Sequence, residues 1–315
     1  MSATFGKDDW GVILGGSSGF GLATAHKLAA QGMSLCVVHR DRRGAMKRIE
    51  PEFEKLRGHG VQVCTFNTDA LSPEKRGEVL DALREAMGEG GRVRMLLHSI
   101  AVGNLKLLAP EAERRGPSPA EKLASALGVE TEKVVETVDR LFGEGEDALA
   151  ELATPPEFFP RTLDAEDFAR TIHSMGTSLV DWVQDLHARG LFAADARVFG
   201  LTSEGNEVAW KGYAAVSAAK VAMEAACRSI AAEFGPHGVR CNVLQPGVTD
   251  TPALQAIPGS DRLKAHSRLR NPMGRLTTPR DVAGVVYLLC LPEAAWINGT
   301  TLRVDGGERI SGSTV

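Results

Sequence analysis

The chain has little of several residue types that mark particular protein classes. Only two of its 315 residues are tyrosines, and its five cysteines form no Cys-x2-Cys pair. The cysteines stand singly in apolar stretches, so neither a disulfide framework nor a metal site is expected. Isolated, reduced cysteines are typical of a cytoplasmic protein, which is the localisation that we expect.

Long apolar runs and a charge excess are also lacking. No apolar run approaches the roughly 20 residues that a membrane-spanning helix needs, and residues 1–10 lack an apolar signal core. Lys and Arg number 36 against 40 Asp and Glu, a net charge of −4. This near balance gives no electrostatic case for binding nucleic acid or an anionic membrane.

Seven short apolar runs predict β-strands, and helical patterns lie between them. Near-continuous apolar strands that alternate with helices indicate a parallel sheet covered on both faces. The expected fold class is α/β: a Rossmann-like, doubly wound, parallel seven-stranded sheet in a single domain over residues 1–315. Strands are predicted at 12–14, 34–38, 61–66, 93–98, 197–201, 240–244 and 301–304, and helices at 22–30, 44–57, 73–87, 165–189, 214–234 and 279–291.

Residues 105–163 interrupt this alternation and predict a helical insertion without strands. Ser118 and Glu121 form a capping box with proline at the first helical position, which predicts a helix over 120–127. A second amphipathic helix is predicted over 131–142. Carboxylates outnumber bases in the insertion, and we expect it on the strand-carboxyl side of the sheet. We expect it to be a substrate cap, with a solvated appendage or an oligomer contact as the alternative.

A glycine-rich turn follows the first strand and precedes the first helix. Glycines permit a tight turn and close approach of the backbone to a pyrophosphate, and the helix start offers free N–H groups. The order strand, glycine loop and helix therefore predicts a dinucleotide site, although a turn without a ligand is the alternative. The candidate contacts are Gly15, Ser17, Ser18, Gly19, Phe20 and Gly21.

Tyr213 and Lys220 carry the candidate catalytic chemistry. Seven helical residues turn through about 700°, so both side chains face the same way on a helix. A lysine charge favours the phenolate, so we expect Lys220 to make the Tyr213 phenol a better acid. The other tyrosine, Tyr287, lies in an apolar stretch and is expected in the core.

These motifs together resemble the short-chain dehydrogenase/reductase family over nearly the whole chain apart from the insertion. Asn67-Thr-Asp69-Ala70 resembles the family segment that contacts adenine, and Asn242 to Thr251 resembles the segment whose threonine touches the nicotinamide. Val304-Asp-Gly-Gly307 resembles the closing strand. The resemblance implies further cofactor contacts at Asp69, Ala70, Ser99, Ile100, Ala101, Lys220, Pro246, Gly247, Val248 and Thr251.

Two departures from the family pattern narrow the resemblance. The usual Tyr-x3-Lys would place tyrosine at Val216, and the usual Asn-Asn-Ala-Gly is replaced by His98-Ser-Ile-Ala101. Both features are similar to the divergent enoyl-acyl carrier protein reductases of fatty acid biosynthesis and lipid metabolism. That branch often has a second tyrosine ten residues before the catalytic tyrosine, which here is Tyr213. Ser203 stands there instead and is expected to give a secondary hydrogen bond.

The resemblance implies a reaction, a cofactor and an assembly. The expected function is NADPH-dependent reduction of a trans-2-enoyl thioester of coenzyme A or acyl carrier protein, with a carbonyl reductase or a non-catalytic dinucleotide-binding regulator as alternatives. Family spacing places Arg40 where a 2′-phosphate would bind, whereas selection of NADH by Asp41 is the alternative. Family members commonly form tetramers, so the resemblance implies a homotetramer or a homodimer.

The segment 252–272 resembles the family's mobile substrate loop. It contains Arg262, Lys264, His266, Arg268 and Arg270. A basic rim of this kind is expected either to receive the phosphates of coenzyme A or an acidic carrier protein, or to form a solvated helix face.

Overall fold

The computed structural model describes residues 4–312 and contains one seven-stranded parallel sheet in the order β3-β2-β1-β4-β5-β6-β7. The prediction of a doubly wound parallel sheet is confirmed. The order reverses between β1 and β4, where ligand sites of such sheets form at the carboxyl ends of the strands. The strands are β1 Asp9–Leu14, β2 Ser34–His39, β3 Val63–Asn67, β4 Arg92–His98, β5 Phe192–Leu201, β6 Val239–Pro246 and β7 Thr301–Val304.

Helices cover both faces of this sheet. One face packs against α3, α7 and α8, and the other packs against α1, α2 and α11. The helices are α1 Gly19–Ala29, α2 Met46–Arg57, α3 Pro73–Met87, α4 Pro119–Leu127, α5 Thr131–Gly143, α6 Ala165–Ile172, α7 Ser178–Ala188, α8 Ala214–Glu233, α9 Pro252–Gln255, α10 Ser260–Arg270 and α11 Pro279–Leu289.

The helix predicted over 165–189 is interrupted in the middle. The backbone of His173–Thr177 adopts a π-helical turn between α6 and α7. Gly176 packs so closely on α8 that a Cβ there would lie 2.7 Å from the carbonyl oxygen of Ala219. Insertions of this type are often found at functional sites, and here the turn directs Met175 toward α8.

The insertion contains the two predicted helices and a small apolar core of its own. The Ser118–Glu121 capping box is present, and Gly128 ends α4 in a left-handed conformation. Ala120 and Ala124 of α4 pack against α5. The described residues 105–163 contain no strand, as the sequence predicts.

Residues 4–312 contain no helix that is long and apolar enough to cross a membrane. Within the same range, no group of three or more His, Cys, Asp or Glu side chains is placed to hold a metal ion. Tyr287 packs against the core on the α11 side of the sheet, as expected from its apolar neighbours.

Gly21 is required by the packing of the first turn of α1 against the glycine loop. A Cβ at Gly21 would lie 2.2 Å from the backbone oxygen of Gly15. Because backbone must then move, we expect Gly21→Ala to lower the free energy of unfolding by about 1–3 kcal/mol. Urea denaturation measures the change. Gly44→Ala, at an exposed site with nothing within 4 Å of the added atom, is the control and should be near neutral; equal effects would contradict this packing argument.

Candidate active site

A cavity of about 530 Å³ lies along the carboxyl edge of the sheet at the switch point between β1 and β4. Parallel strands bring the residues that follow each strand to the same edge. Every site residue predicted from the sequence except Gly21 lines this cavity: Gly15, Ser17, Ser18, Gly19, Phe20, Arg40, Asp69, Ala70, Ser99, Ile100, Ala101, Ser203, Tyr213, Lys220, Pro246, Gly247, Val248 and Thr251.

The glycine loop packs closely against neighbouring segments and lines the cavity at the start of α1. A Cβ at Gly15 would lie 2.5 Å from the Ser99 oxygen, and one at Gly16 would lie 2.4 Å from Val37. Ser18 is the N-cap of α1, but its side chain makes no capping hydrogen bond. The helix start is therefore free to donate its N–H groups to a phosphate at the cavity wall.

The end of β2 places both Arg40 and Asp41 in the lining of the cavity. Asp41 Oδ2 lies 2.9 Å from His39 Nδ1, and the Asp41 backbone N–H donates to Asn67 at 2.9 Å. Arg40 lines the cavity with a half-exposed side chain, and its only partner in the described residues is Asp69 at 3.3 Å. The guanidinium is therefore available to a ligand, while the Asp41 carboxylate is partly occupied by His39.

The His98-Ser-Ile-Ala101 segment places three residues in the cavity and one behind it. Ser99, Ile100 and Ala101 line the cavity. His98 is buried, and its Nε2 lies 2.8 Å from Ser178 Oγ. Burial and the Lys220 charge lower the pKa of His98 to about 3, so this imidazole is neutral. We therefore assign His98 to the support of the site.

Tyr213 and Ser203 form the polar centre of the cavity. Tyr213 is the N-cap of α8, and its hydroxyl lies 3.1 Å from Ser203 Oγ. Burial raises the pKa of Tyr213, and the Ser203 hydrogen bond partly offsets this rise. The phenol is therefore protonated over the ordinary pH range and can donate a hydrogen bond or a proton.

Lys220 shares the cavity with Tyr213, but it does not act on the phenol as the sequence predicts. Its Nζ donates to the carbonyl oxygen of Leu201 at 2.8 Å. The pKa of Tyr213 is raised by burial, whereas the predicted effect of Lys220 was to lower it. The expectation that Lys220 lowers the pKa of Tyr213 was wrong. The seven-residue spacing predicts that both side chains lie on one face, but it does not determine which oxygen the Lys220 ammonium contacts.

Burial lowers the pKa of Lys220 to about 8, with Glu224 opposing the change. Below that pH the ammonium is charged and favours an anionic cofactor; as the pH rises through 8 the charge is lost. We therefore expect the Kd of NADPH to increase severalfold between pH 7 and 9.5, measured by calorimetry. In Lys220→Arg, which keeps its charge, that increase should vanish. A wild-type Kd that stays constant to pH 9.5 would refute the assignment.

The loop that carries Ser203 is held from both sides. Glu224 of α8 accepts hydrogen bonds from Thr202 and Asn206. Arg270 of α10 donates to Glu204 at 2.7 Å and to the buried Glu308 at 2.9 Å. These contacts tie the Ser203 loop to α8 and α10, so that the Ser203 hydroxyl is presented at a fixed position.

The end of the cavity around Tyr213 is otherwise apolar and contains residues that the sequence did not single out as site residues. They come from the insertion, the π-helical turn, the segment between Ser203 and α8, α8 itself and the 252–272 segment. No local motif marks them, because the tertiary fold alone brings these segments together. The apolar lining includes Leu105, Met175, Trp210, Val216, Ile257 and Leu263. This end suits an apolar substrate group.

The expected basic rim of the 252–272 segment is paired within the chain. Arg268 Nε donates to Asp147 at 2.6 Å, and His266 lies 3.0 Å from Glu151. Arg262 donates to the carbonyl oxygen of Ala153, and Lys264 pairs with Asp261 at 2.7 Å. Neither a free phosphate-binding rim nor a purely solvated face describes α10, because most of its basic side chains contact the insertion or neighbouring carboxylates.

Two family models and several relatives match this chain. A family model described as "short chain dehydrogenase" matches residues 10–114, and one described as "Enoyl-(Acyl carrier protein) reductase" matches residues 129–308. A tropinone reductase homologue of Arabidopsis thaliana is 32% identical over 60% of this chain and 71% of its own. A probable 2,4-dienoyl-CoA reductase of Bacillus subtilis is 27% identical over 94% of this chain and 95% of its own.

A solved enoyl-acyl carrier protein reductase of Anaplasma phagocytophilum, in complex with NAD, has the same fold. Its TM-score is 0.69 at 18% identity, covering 100% of this chain and 98% of that one. The chain belongs to the short-chain dehydrogenase/reductase family, as the resemblance of its motifs predicts. It is an oxidoreductase of that family with a site for a nicotinamide dinucleotide.

Proposed function

We propose that this protein reduces the C=C bond of a trans-2-enoyl thioester with NADPH. The observation that carries the proposal is the position of the phenol. Tyr213 lies at the N-cap of α8 beside Ser203, and Val216 occupies the position of the usual family tyrosine. A phenol set back by about one helical turn suits a substrate whose reacting oxygen is two carbons from the hydride acceptor.

The chemistry of an enoyl thioester explains why that distance matters. A bound nicotinamide supplies the hydride. When the β carbon accepts it, negative charge develops on the thioester carbonyl oxygen, which a preorganised donor must stabilise. The protonated, buried Tyr213 hydroxyl is that donor. Ser203 orients the phenol through their 3.1 Å hydrogen bond, and Lys220 binds the cofactor ribose.

Coenzyme A is the proposed carrier, with acyl carrier protein as the other choice. The basic side chains of α10 are paired with the insertion or with neighbouring carboxylates. They are therefore poorly suited to an acidic carrier protein, which the acidic insertion would also repel. The name of the Bacillus subtilis relative, which describes a coenzyme A thioester, supports the same choice.

A carbonyl reductase is the second candidate, favoured by the Ser203–Tyr213 pair. A serine hydroxyl beside a protonated phenol can polarise a ketone directly. The Arabidopsis relative is named as a homologue of tropinone reductase. This candidate requires the carbon that accepts hydride to carry the oxygen that Tyr213 contacts.

Isotope transfer tests the proposal. NADPH deuterated at C4 is incubated with trans-2-butenoyl-CoA in normal water. We expect a saturated product with deuterium at the β carbon and a solvent proton at the α carbon, identified by NMR. If NADPH binds but no enoyl thioester is reduced, the proposal fails. Deuterium found only in an alcohol from an added ketone would establish the carbonyl reductase.

A further inference from the structure

A second cavity adjoins the active site on the far side of Trp210. Its volume is about 360 Å³, and it is formed by the start of the insertion and the residues before α8. Trp210 lines both cavities. The lining is mostly apolar, with one charged pair, Lys211 and Glu111, at 3.4 Å. The second cavity is lined by Leu107, Leu108, Ala109, Pro110, Glu111, Ala112, Trp210, Lys211, Gly212 and Ala214.

Trp210 stands between the second cavity and the catalytic phenol. Its ring centroid lies 5.5 Å from that of Tyr213, with the planes tilted by 58°. The ring is half-buried, and Leu105 on one side of the boundary is followed by Leu107 on the other. Trp210 is therefore the residue that the two linings share, and its ring packs on the Tyr213 ring.

The continuity of the two apolar linings identifies the occupant. The apolar end of the active-site cavity includes Leu105 and Trp210, and both apolar linings meet at the Trp210 ring. A flexible alkyl chain can pass along such a boundary, and each methylene removed from water strengthens binding by about fourfold. A charged carrier group would instead lose its hydration against leucine, alanine and proline side chains, which offer it no hydrogen bonds.

We propose that the second cavity receives the distal part of a long acyl chain and that Trp210 controls access to it. This inference rests on the proposed function, since it specifies the length of the acyl chain in the thioester that the same site accepts. The insertion then contributes directly to substrate selection, through residues 107–112.

Binding of saturated acyl-CoA products tests the subsite without requiring turnover. Calorimetry with saturating NADP⁺ compares butanoyl-CoA with dodecanoyl-CoA. We expect the wild type to bind dodecanoyl-CoA at least tenfold more tightly. Leu108→Asp should remove most of that preference and change the butanoyl-CoA Kd by less than twofold. Leu127→Asp is the matched control: it is a similarly exposed leucine of the insertion that lines neither cavity, and it should behave as wild type.

Trp210→Ala opens the boundary and should increase the preference for dodecanoyl-CoA over butanoyl-CoA at least threefold. This ratio cancels any general effect of losing the ring beside Tyr213. An unchanged ratio in Leu108→Asp or in Trp210→Ala overturns the subsite. Turnover of the matching 2-enoyl-CoA compounds is measured on the same proteins, so that chain-length-dependent binding without reduction would overturn the proposed function alone.

Discussion

Tyr213→Phe should lower kcat for an enoyl thioester by about 10²–10³-fold, because it removes the donor that stabilises the developing enolate. The substitution deletes one hydroxyl from a ring that is packed among Trp210, Met175 and Val216, so the fold should persist. We expect the Kd of NADPH to change by less than twofold. Stopped-flow NADPH oxidation and calorimetry measure the two quantities.

The second tyrosine provides a matched control for this substitution. Tyr287 lies on the α11 side of the sheet and hydrogen-bonds Thr4 at 3.0 Å, away from the cavity. Tyr287→Phe should leave kcat within twofold of wild type. If Tyr213→Phe retains more than a third of wild-type kcat, the phenol is not the donor and the assignment fails.

Arg40→Ala should shift the ratio of kcat/KM for NADPH to that for NADH about 10–100-fold toward NADH. The expected size follows from losing a charge-assisted hydrogen bond to a phosphate. Asp41 also lines the cavity, and its carboxylate repels a 2′-phosphate, so it cannot replace the lost selectivity for NADPH. Initial rates are measured while NADPH or NADH is varied at one fixed substrate concentration, and the two values of kcat/KM give the ratio.

Arg43→Ala is the control for this change, because Arg43 is exposed and does not line the cavity. It should leave the cofactor ratio within twofold of wild type. If Arg40→Ala lowers kcat/KM equally with NADPH and NADH, Arg40 does not bind the 2′-phosphate. Its role would then be to support the fold, or the adenine end of the site through Asp69.

Much of the cofactor half of the site could be predicted from the sequence. The glycine loop, Arg40 and Asp69 each follow an apolar strand, and a parallel sheet necessarily gathers such positions at one edge. Gly21 was predicted to contact the cofactor, but in the structure it allows the backbone of α1 to approach Gly15. Spacing along the chain does not distinguish these two roles of a glycine.

The substrate half could not be predicted in this way, because it depends on contacts between distant segments. Met175 reaches the cavity from a π-helical turn that no helical periodicity indicates. The pairing of Arg268 with Asp147 joins residues 121 positions apart. The sequence shows that the insertion is acidic and that α10 is basic, but it does not show that the two segments pair with each other.

The same limit applies to the electrostatics of the catalytic pair. The spacing of Tyr213 and Lys220 predicts that they share the cavity, which the fold shows. The direction of the Tyr213 pKa shift depends on burial and on where the Lys220 ammonium donates, and both are properties of the folded chain. The local sequence pattern therefore identified Tyr213 and Lys220 as the titratable groups of the site, but it did not give their pKa values.

The most direct test of the account is the oxidation of NADPH, followed at 340 nm, with trans-2-butenoyl-CoA beside acetoacetyl-CoA, its 3-keto counterpart. The position of Tyr213 predicts turnover of the enoyl compound, at least 100-fold faster than that of the keto compound. Turnover of acetoacetyl-CoA alone would contradict the account and identify the protein as a carbonyl reductase.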